Sequence, residues 1–172
     1  MTQELIDLRT SIIEGRYADA LTIVDELEGM SKQAILRNIQ SFLRILLIHL
    51  IKNQVEQRLT NSWANSIRNS VREIKKLNLQ DNKTSYYVKI DDWESMLDDE
   101  LEEAICLASE EVRDGCYSPY QLLDLVDKEQ IMAIAKSLLS LTYDYSVKEL
   151  SSVVNNDLTL LPGGEDWKAG RR

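Results

Sequence analysis

Helix breakers are nearly absent from this chain. Two prolines and six glycines are spread over 172 residues. A backbone with so few interruptions, rich in Leu, Ile, Glu, Asp and Lys, favours long helices over strands joined by tight turns. The length suits one domain with a real core. An apolar share of 44% against 28% charged residues belongs to a globular chain rather than a disordered one.

The hydrophobic periodicity divides the chain into helices. The first runs from about Thr2 to Glu14, with Gly15 as its C′ residue. A second, from Tyr17 to Glu28, is ended by Gly29, and the two read as a helical hairpin. Ser31 is a suitable N-cap for the longest element, Lys32 to Leu59, whose stripe is Ile35, Ile39, Phe42, Leu43, Leu46 and Leu50. At 1.5 Å per residue this helix would be about 42 Å long, the spine of the fold. The next helix presents Trp63, Ile67, Val71, Ile74 and Leu77, and residues 78–83 read as a loop. Residues 84–90 alternate weakly and allow one short strand, whose candidate partner is 157–161. Asp91 followed by Glu94 reads as a capping box for a helix reaching Asp114. Ser118-Pro119-Tyr120-Gln121 and Asp127 to Gln130 open two more. The expected fold is all-α: a multi-helix bundle around the 32–59 helix. Its domain is placed at 1–126, followed by a helical extension, 127–161, packed on that domain or on a second copy, and a flexible tail, 162–172.

Charge limits the partners. The formal net charge is −9, so phosphate backbones are repelled overall and nucleic acid is disfavoured. The most apolar run, Phe42 to Ile51, is interrupted by Arg44 and His49 and is shorter than the roughly 20 residues a spanning helix needs. The opening Met1-Thr2-Gln3-Glu4 has no signal-peptide character. Cys106 and Cys116 are too few for a disulfide framework and read as reduced thiols. These features together give the expectation of a cytoplasmic protein without a membrane anchor.

The charges are unevenly distributed. Between Lys52 and Lys76 six basic residues face two acidic ones; between Asp91 and Glu129 fourteen acids face Arg113 and Lys128. One reading is two solvated faces of opposite sign lying near each other. The functional alternative is an anion-binding face made of Arg68, Arg72, Lys75 and Lys76. Glu94, Asp98 and Glu102 share a helical face, flanked by Asp99 and Glu103, and carboxylates alone can hold Mg²⁺ or Ca²⁺. The loop spacing of a Ca²⁺ hand and the Glu-x-x-His pairs of a di-iron bundle are both missing from the sequence, so no metal and no cofactor is expected. His49, the sole histidine, has Asn53 one turn later and Glu56 two turns on, which a general base could use; more often such a residue is a core histidine bonded to a neighbouring backbone or Trp. No nucleophile–base arrangement or glycine-rich phosphate loop has local support.

The centre of the chain also carries a family pattern. Arg44-Ile-Leu-Leu-Ile-His49-Leu-Ile-Lys52, then Ser62-Trp63-Ala-Asn-Ser-Ile67-Arg68 with Arg72 one turn on, resembles the family catalogued as domain of unknown function 29. Cys116-Tyr-Ser-Pro119-Tyr120-Gln121-Leu122-Leu123 is similar to its Cys-Pro-Tyr closing segment. The likeness covers roughly residues 3–126. The chain departs from the pattern in having no Asp-Phe-Tyr-Ala-Trp-like opening, and in Asn65 and Asn69 where relatives are richer in Arg. The resemblance implies an all-helical fold in a bacterial, mainly cyanobacterial, cytosolic setting, and implies no activity. It singles out Arg44, His49, Trp63, Arg68 and Arg72 as a candidate network, structural or functional.

Three functions compete at this level. The leading one is a non-enzymatic helical module that binds a protein partner or itself, as a homodimer using the C-terminal helix around Leu138 and Leu141. The others are a nucleic-acid-linked regulator using the basic face, and a metal-dependent or unrecognised enzyme around His49 and the Glu94–Glu102 face.

Overall fold

The computed structural model describes residues 2–80 and 84–171. Two compact units are formed, Met1–Asn38 and Ile39–Arg172.

In the first unit α1 spans Gln3–Ile13 and is closed as the sequence predicts. Gly15 takes φ +74°, Arg16 N–H donates to the Ser11 carbonyl at 2.8 Å, and Gly15 N–H donates to the Ile12 carbonyl at 3.1 Å. A left-handed C′ glycine closes the helix in this way. The next helix, α2, spans Tyr17–Glu56 without a break. The end expected at Gly29 and the new start expected at Ser31 are both interior to it. Gly29 keeps a negative φ with open space where a Cβ would stand. An internal glycine costs a helix about 1 kcal/mol, and the apolar stripe passes through it in phase, from Val24 and Leu27 by way of Ser31 to Ile35 and Ile39. One helix of 40 residues, about 60 Å long, results.

The second unit is built on the later half of α2. Ile39, Leu43, Leu46, Leu47, Leu50 and Ile51 are all buried. By length and composition α2 could cross a membrane, one 18-residue window reaching a mean hydropathy of 1.4. Of that window 33% is buried, and on this part of α2 Arg44 pairs with Glu100 at 3.0 Å and Lys52 with Glu111 at 2.7 Å. Gln57, with φ 55°, ends α2. Thr60 then caps α3 (Asn61–Asn78) by accepting from Trp63 N–H at 3.0 Å. A 3₁₀ turn, Ile90–Asp92, precedes α4 (Trp93–Ser109), so α4 starts after the expected Asp91 cap; Asp92 Oδ2 accepts from Lys89 N–H instead. A second 3₁₀ turn, Val112–Gly115, leads to α5 (Pro119–Leu125), which carries the predicted Ser118/Gln121 capping box. Next come α6 (Lys128–Asp144), capped by Asp127, and α7 (Val147–Leu158), capped by Ser146. Both α6 and α7 pack on α3, and α6 also packs on α4. The extension therefore lies on its own chain, and Leu138, expected to serve self-association, is buried there.

The all-α expectation holds, and among the described residues there is no strand. The pairing of 84–90 with 157–161 is replaced by a single bridge, Leu79 to Tyr86. Asp157 and Leu158 belong to α7. The backbone of Val88 finds its partners elsewhere: its N–H and C=O are both taken by the side chain of Asn78, at 2.6 and 2.9 Å. With those groups satisfied no partner strand is required. Residues 81–83 of the expected loop lie outside the described part. Where the sequence suggests a flexible tail, α8 (Gly164–Lys168) is formed. Its approach depends on glycine: Gly163 has φ +73°, and a Cβ there would stand 2.7 Å from the Arg58 Cα.

Candidate functional site

Two residues of the family pattern, Lys52 and Trp63, meet at the corner where α2 gives way to α3. Lys52 is on the last full turns of α2, its stem buried, and its ammonium lies 4.9 Å from the Trp63 ring centre while bonding Glu111 at 2.7 Å. Arg58, in the α2–α3 connection, lies 4.7 Å from the same ring. Two cations thus share one indole, a geometry that the ring's negative face favours. Glu56 ties the corner to the segment after α4: Oε1 accepts from Arg58 Nε at 3.0 Å and Oε2 from the Arg113 backbone N–H at 3.2 Å. Among the described residues, the non-glycine positions with positive φ are Gln57, Arg113 and Asp114. Gln57 directly succeeds Glu56 in the chain, and Arg113 is bonded to it. Such conformations cost on the order of 1–3 kcal/mol each and persist only where the surroundings hold them.

Asn53 fastens the corner from below. It is 2% exposed, and its Nδ2 donates to the carbonyls of Arg58 at 3.0 Å and Pro162 at 2.8 Å. Trp167 of α8 reaches Asn61 at 3.3 Å. Beside this corner is a cleft of about 630 Å³ whose lining includes Arg58, Thr60, Asn61, Asp166, Trp167 and Arg171. Its two arginines are already engaged, Arg58 by Glu56 at 3.0 Å and Arg171 by Asp166 at 2.9 Å.

The five residues of the candidate network are dispersed, with no hydrogen bond, ion pair or ring contact joining any two of them among the described residues. Arg44 pairs with Glu100 on α4. His49 Nδ1 meets the Ile45 carbonyl of its own helix at 2.8 Å. Burial, and secondarily the charge of Lys52, pull the His49 pKa down, against the opposing pull of that backbone bond and Glu111. Trp63 takes Lys52 and Arg58 in place of His49. Arg68 bonds Asn155 of α7 at 2.8 Å and also Asn65, and Arg72 is exposed.

The expected anion face is divided in the same way. Lys75 is buried and donates to the Thr142 carbonyl of α6, and burial lowers its pKa. Lys76 leans on Glu73 at 3.4 Å. On the acidic side Glu94 lies 3.6 Å from Lys136, and Asp91, Asp98, Lys128 and Glu129 share the open cleft there. Among the described residues no three His, Cys, Asp or Glu side chains are grouped to hold a metal. Cys106 and Cys116 are both free and exposed.

Sequence reasoning missed a second polar centre. Tyr143 Oη donates to the Val88 carbonyl at 2.7 Å, accepts from Trp93 Nε1 at 2.7 Å, and lies 3.4 Å from Asn78 Nδ2. Tyr86 packs on it edge to face, centroids 4.7 Å apart. Burial raises the Tyr143 pKa, outweighing the bonds from Trp93 and Asn78. A signal exists in the sequence: Asn78 continues the Ile67, Val71, Ile74 stripe in phase, as Asn53 continues Leu43, Leu46, Leu50.

The family described as Domain of unknown function DUF29 matches residues 14–128 of the chain. The chain belongs to the DUF29 family. No curated protein and no solved structure matches it. The DUF29 segment contains the whole Lys52–Trp63–Glu111 corner and stops as α6 begins. Many of its polar side chains bond to residues C-terminal to it, among them Asn53 to the Pro162 carbonyl, Arg68 to Asn155, Lys75 to the Thr142 carbonyl, and both Asn78 and Trp93 to Tyr143. In this member of the DUF29 family, residues beyond the family segment complete the second unit.

Proposed function

We propose that this DUF29 protein is a non-enzymatic, cytoplasmic helical interaction module that docks a protein partner through the arm formed by α1 and the start of α2. One observation carries the reading. Across Met1–Asn38 the only hydrophobic side chain buried among the described residues is Ala20, while Leu5, Ile6, Ile12, Ile13, Tyr17, Leu21 and Met30 stand exposed, from 42% at Leu5 to 73% at Ile13. So many exposed apolar side chains along α1 and the start of α2 support a role in interaction. The charged groups of the α2–α3 corner support the same reading, because they are spent on one another and on holding a strained backbone. Exposed free thiols at Cys106 and Cys116 agree with a reducing compartment.

The test is native mass spectrometry of protein isolated from its own host at low salt, compared with Ile13→Lys/Leu21→Lys. The expected result is an associated protein mass that the double variant loses while keeping its helical circular dichroism. An association that survives the double variant, a nucleic acid in its place, or no association at all would overturn the reading.

A further inference from the structure

We propose that the cleft where α8 folds back on the α2–α3 connection is a binding site for a small, flat aromatic carboxylate. The cleft belongs to the second unit, and binding there does not depend on the docking role of the arm.

The cleft has the size of a ligand site and is built in advance. Its volume of about 630 Å³ lies within the roughly 300–1,000 Å³ of small-molecule pockets. Its two walls are fastened to each other. Asn53 Nδ2 donates to the carbonyls of both Arg58 and Pro162. A Cβ on Gly163 would stand 2.7 Å from the Arg58 Cα, and one on Gly164 would stand 2.4 Å from the Leu158 carbonyl oxygen. Walls held this closely need little reordering when a ligand enters, which favours binding.

The cations of the cleft are held in place with donors to spare. The Arg58 guanidinium lies 4.7 Å from the Trp63 ring centre, and its Nε bonds Glu56 at 3.0 Å. Arg171 is tied to Asp166 in the same manner, through Nε at 2.9 Å. Among the described residues no hydrogen bond engages the Nη groups of either arginine. A guanidinium takes a carboxylate through two parallel N–H groups. Each ion pair therefore fixes one edge of the guanidinium and leaves the Nη edge for a ligand. Both side chains are open to one, at 59% and 66% accessibility.

Charge and shape select the ligand. Arg58 and Arg171 face one lining acid, Asp166, a local net of +1 in a chain of −9. One negative charge matches that balance, whereas a doubly charged phosphate would set its second charge against Asp166. Trp167 supplies the apolar wall. It is half-buried, and its Nε1 donates to Asn61 at 3.3 Å, which fixes the ring. A fixed indole favours another aromatic ring, packed offset or edge-on.

The experiment is heteronuclear NMR of the full chain titrated with 2-naphthoate, with 2-naphthylmethanol (ring without charge) and with acetate (charge without ring). The Trp167 indole N–H resonance, identified by its loss in Trp167→Leu, is expected to shift saturably with 2-naphthoate. The other two probes should bind at least about tenfold more weakly, a difference of about 1.4 kcal/mol. Arg171→Gln and Arg58→Lys should each weaken 2-naphthoate about tenfold at unchanged circular dichroism. Lysine keeps the charge but lacks the two-pronged end. Lys136→Gln, in the cleft between α4 and α6, should leave binding unchanged. A Trp167 resonance that does not move, either partial probe binding as well as 2-naphthoate, or an affinity indifferent to Arg171→Gln overturns the proposal. Should Arg58→Lys alter the circular dichroism, Arg171→Gln alone decides.

Discussion

Replacing Asn53 by Ala removes one side chain that holds two distant carbonyls. Its Nδ2 bonds Arg58, five residues on, and Pro162, 109 residues on. Each bond contributes about 0.5–1.5 kcal/mol net, and a vacated buried site adds to the loss. The expected destabilisation is about 2 kcal/mol. With a urea dependence of roughly 2 kcal/mol/M for a chain of this size, the midpoint should fall by about 1 M at an unchanged slope. Asn53→Asp separates bonding from packing, since it keeps the volume but turns a carboxylate oxygen toward two carbonyls. It should cost at least as much as alanine. Hydrogen exchange locates the effect: amides of 159–168 should exchange faster in both variants, because the Pro162 carbonyl anchors the approach to α8. If Asn53→Asp keeps the parent midpoint, the corner is held by packing and the hydrogen-bond argument is wrong. A lowered midpoint with unchanged exchange at 159–168 would confine the role of Asn53 to the α2–α3 connection.

Two further perturbations test the interior. Tyr143→Phe strands Trp93 Nε1 and should cost about 1–3 kcal/mol, seen as a melting temperature lowered by roughly 2–4 °C per kcal/mol and a red-shifted tryptophan emission; an unchanged melt removes Tyr143 from the stabilising set. His49 titrates with a lowered pKa when folded, so as pH drops through its ordinary value near 6.5 the unfolded chain takes up the proton first and the folded state loses stability. His49→Leu should flatten the stability curve between about pH 7.5 and 5.5 relative to the parent; parallel curves would show that burial of His49 has no energetic consequence.

The sequence alone determined the all-α class, the course of α1, α3, α4, α5 and α6, and the buried stripes of α3, α4 and the later half of α2, while the apolar faces it marks before Asn38 are exposed. Few breakers, an apolar period near 3.6, and the Ser118-Pro119 and Asp127 starts are local properties, and local geometry answers to them. Lys52, Asn53 and Trp63 fall in or beside the segments that carry the family resemblance. Which polar groups meet was decided only by the tertiary structure. Arg44 and Lys52 reach acids 56 and 59 residues away, and Trp63 receives Lys52 and Arg58 rather than His49, because helix crossing sets those neighbours and spacing along the chain does not. Gly29 makes the same point from the other side: by itself it reads as a stop, yet the in-phase stripe around it, buried from Ile39 onward, outweighs its cost of about 1 kcal/mol. Asn53 and Asn78 lie between these cases. Their places in the apolar register were legible, but their partners, Pro162 and Val88, are fixed by the fold, since a buried amide must be satisfied by whichever backbone the packing brings to it.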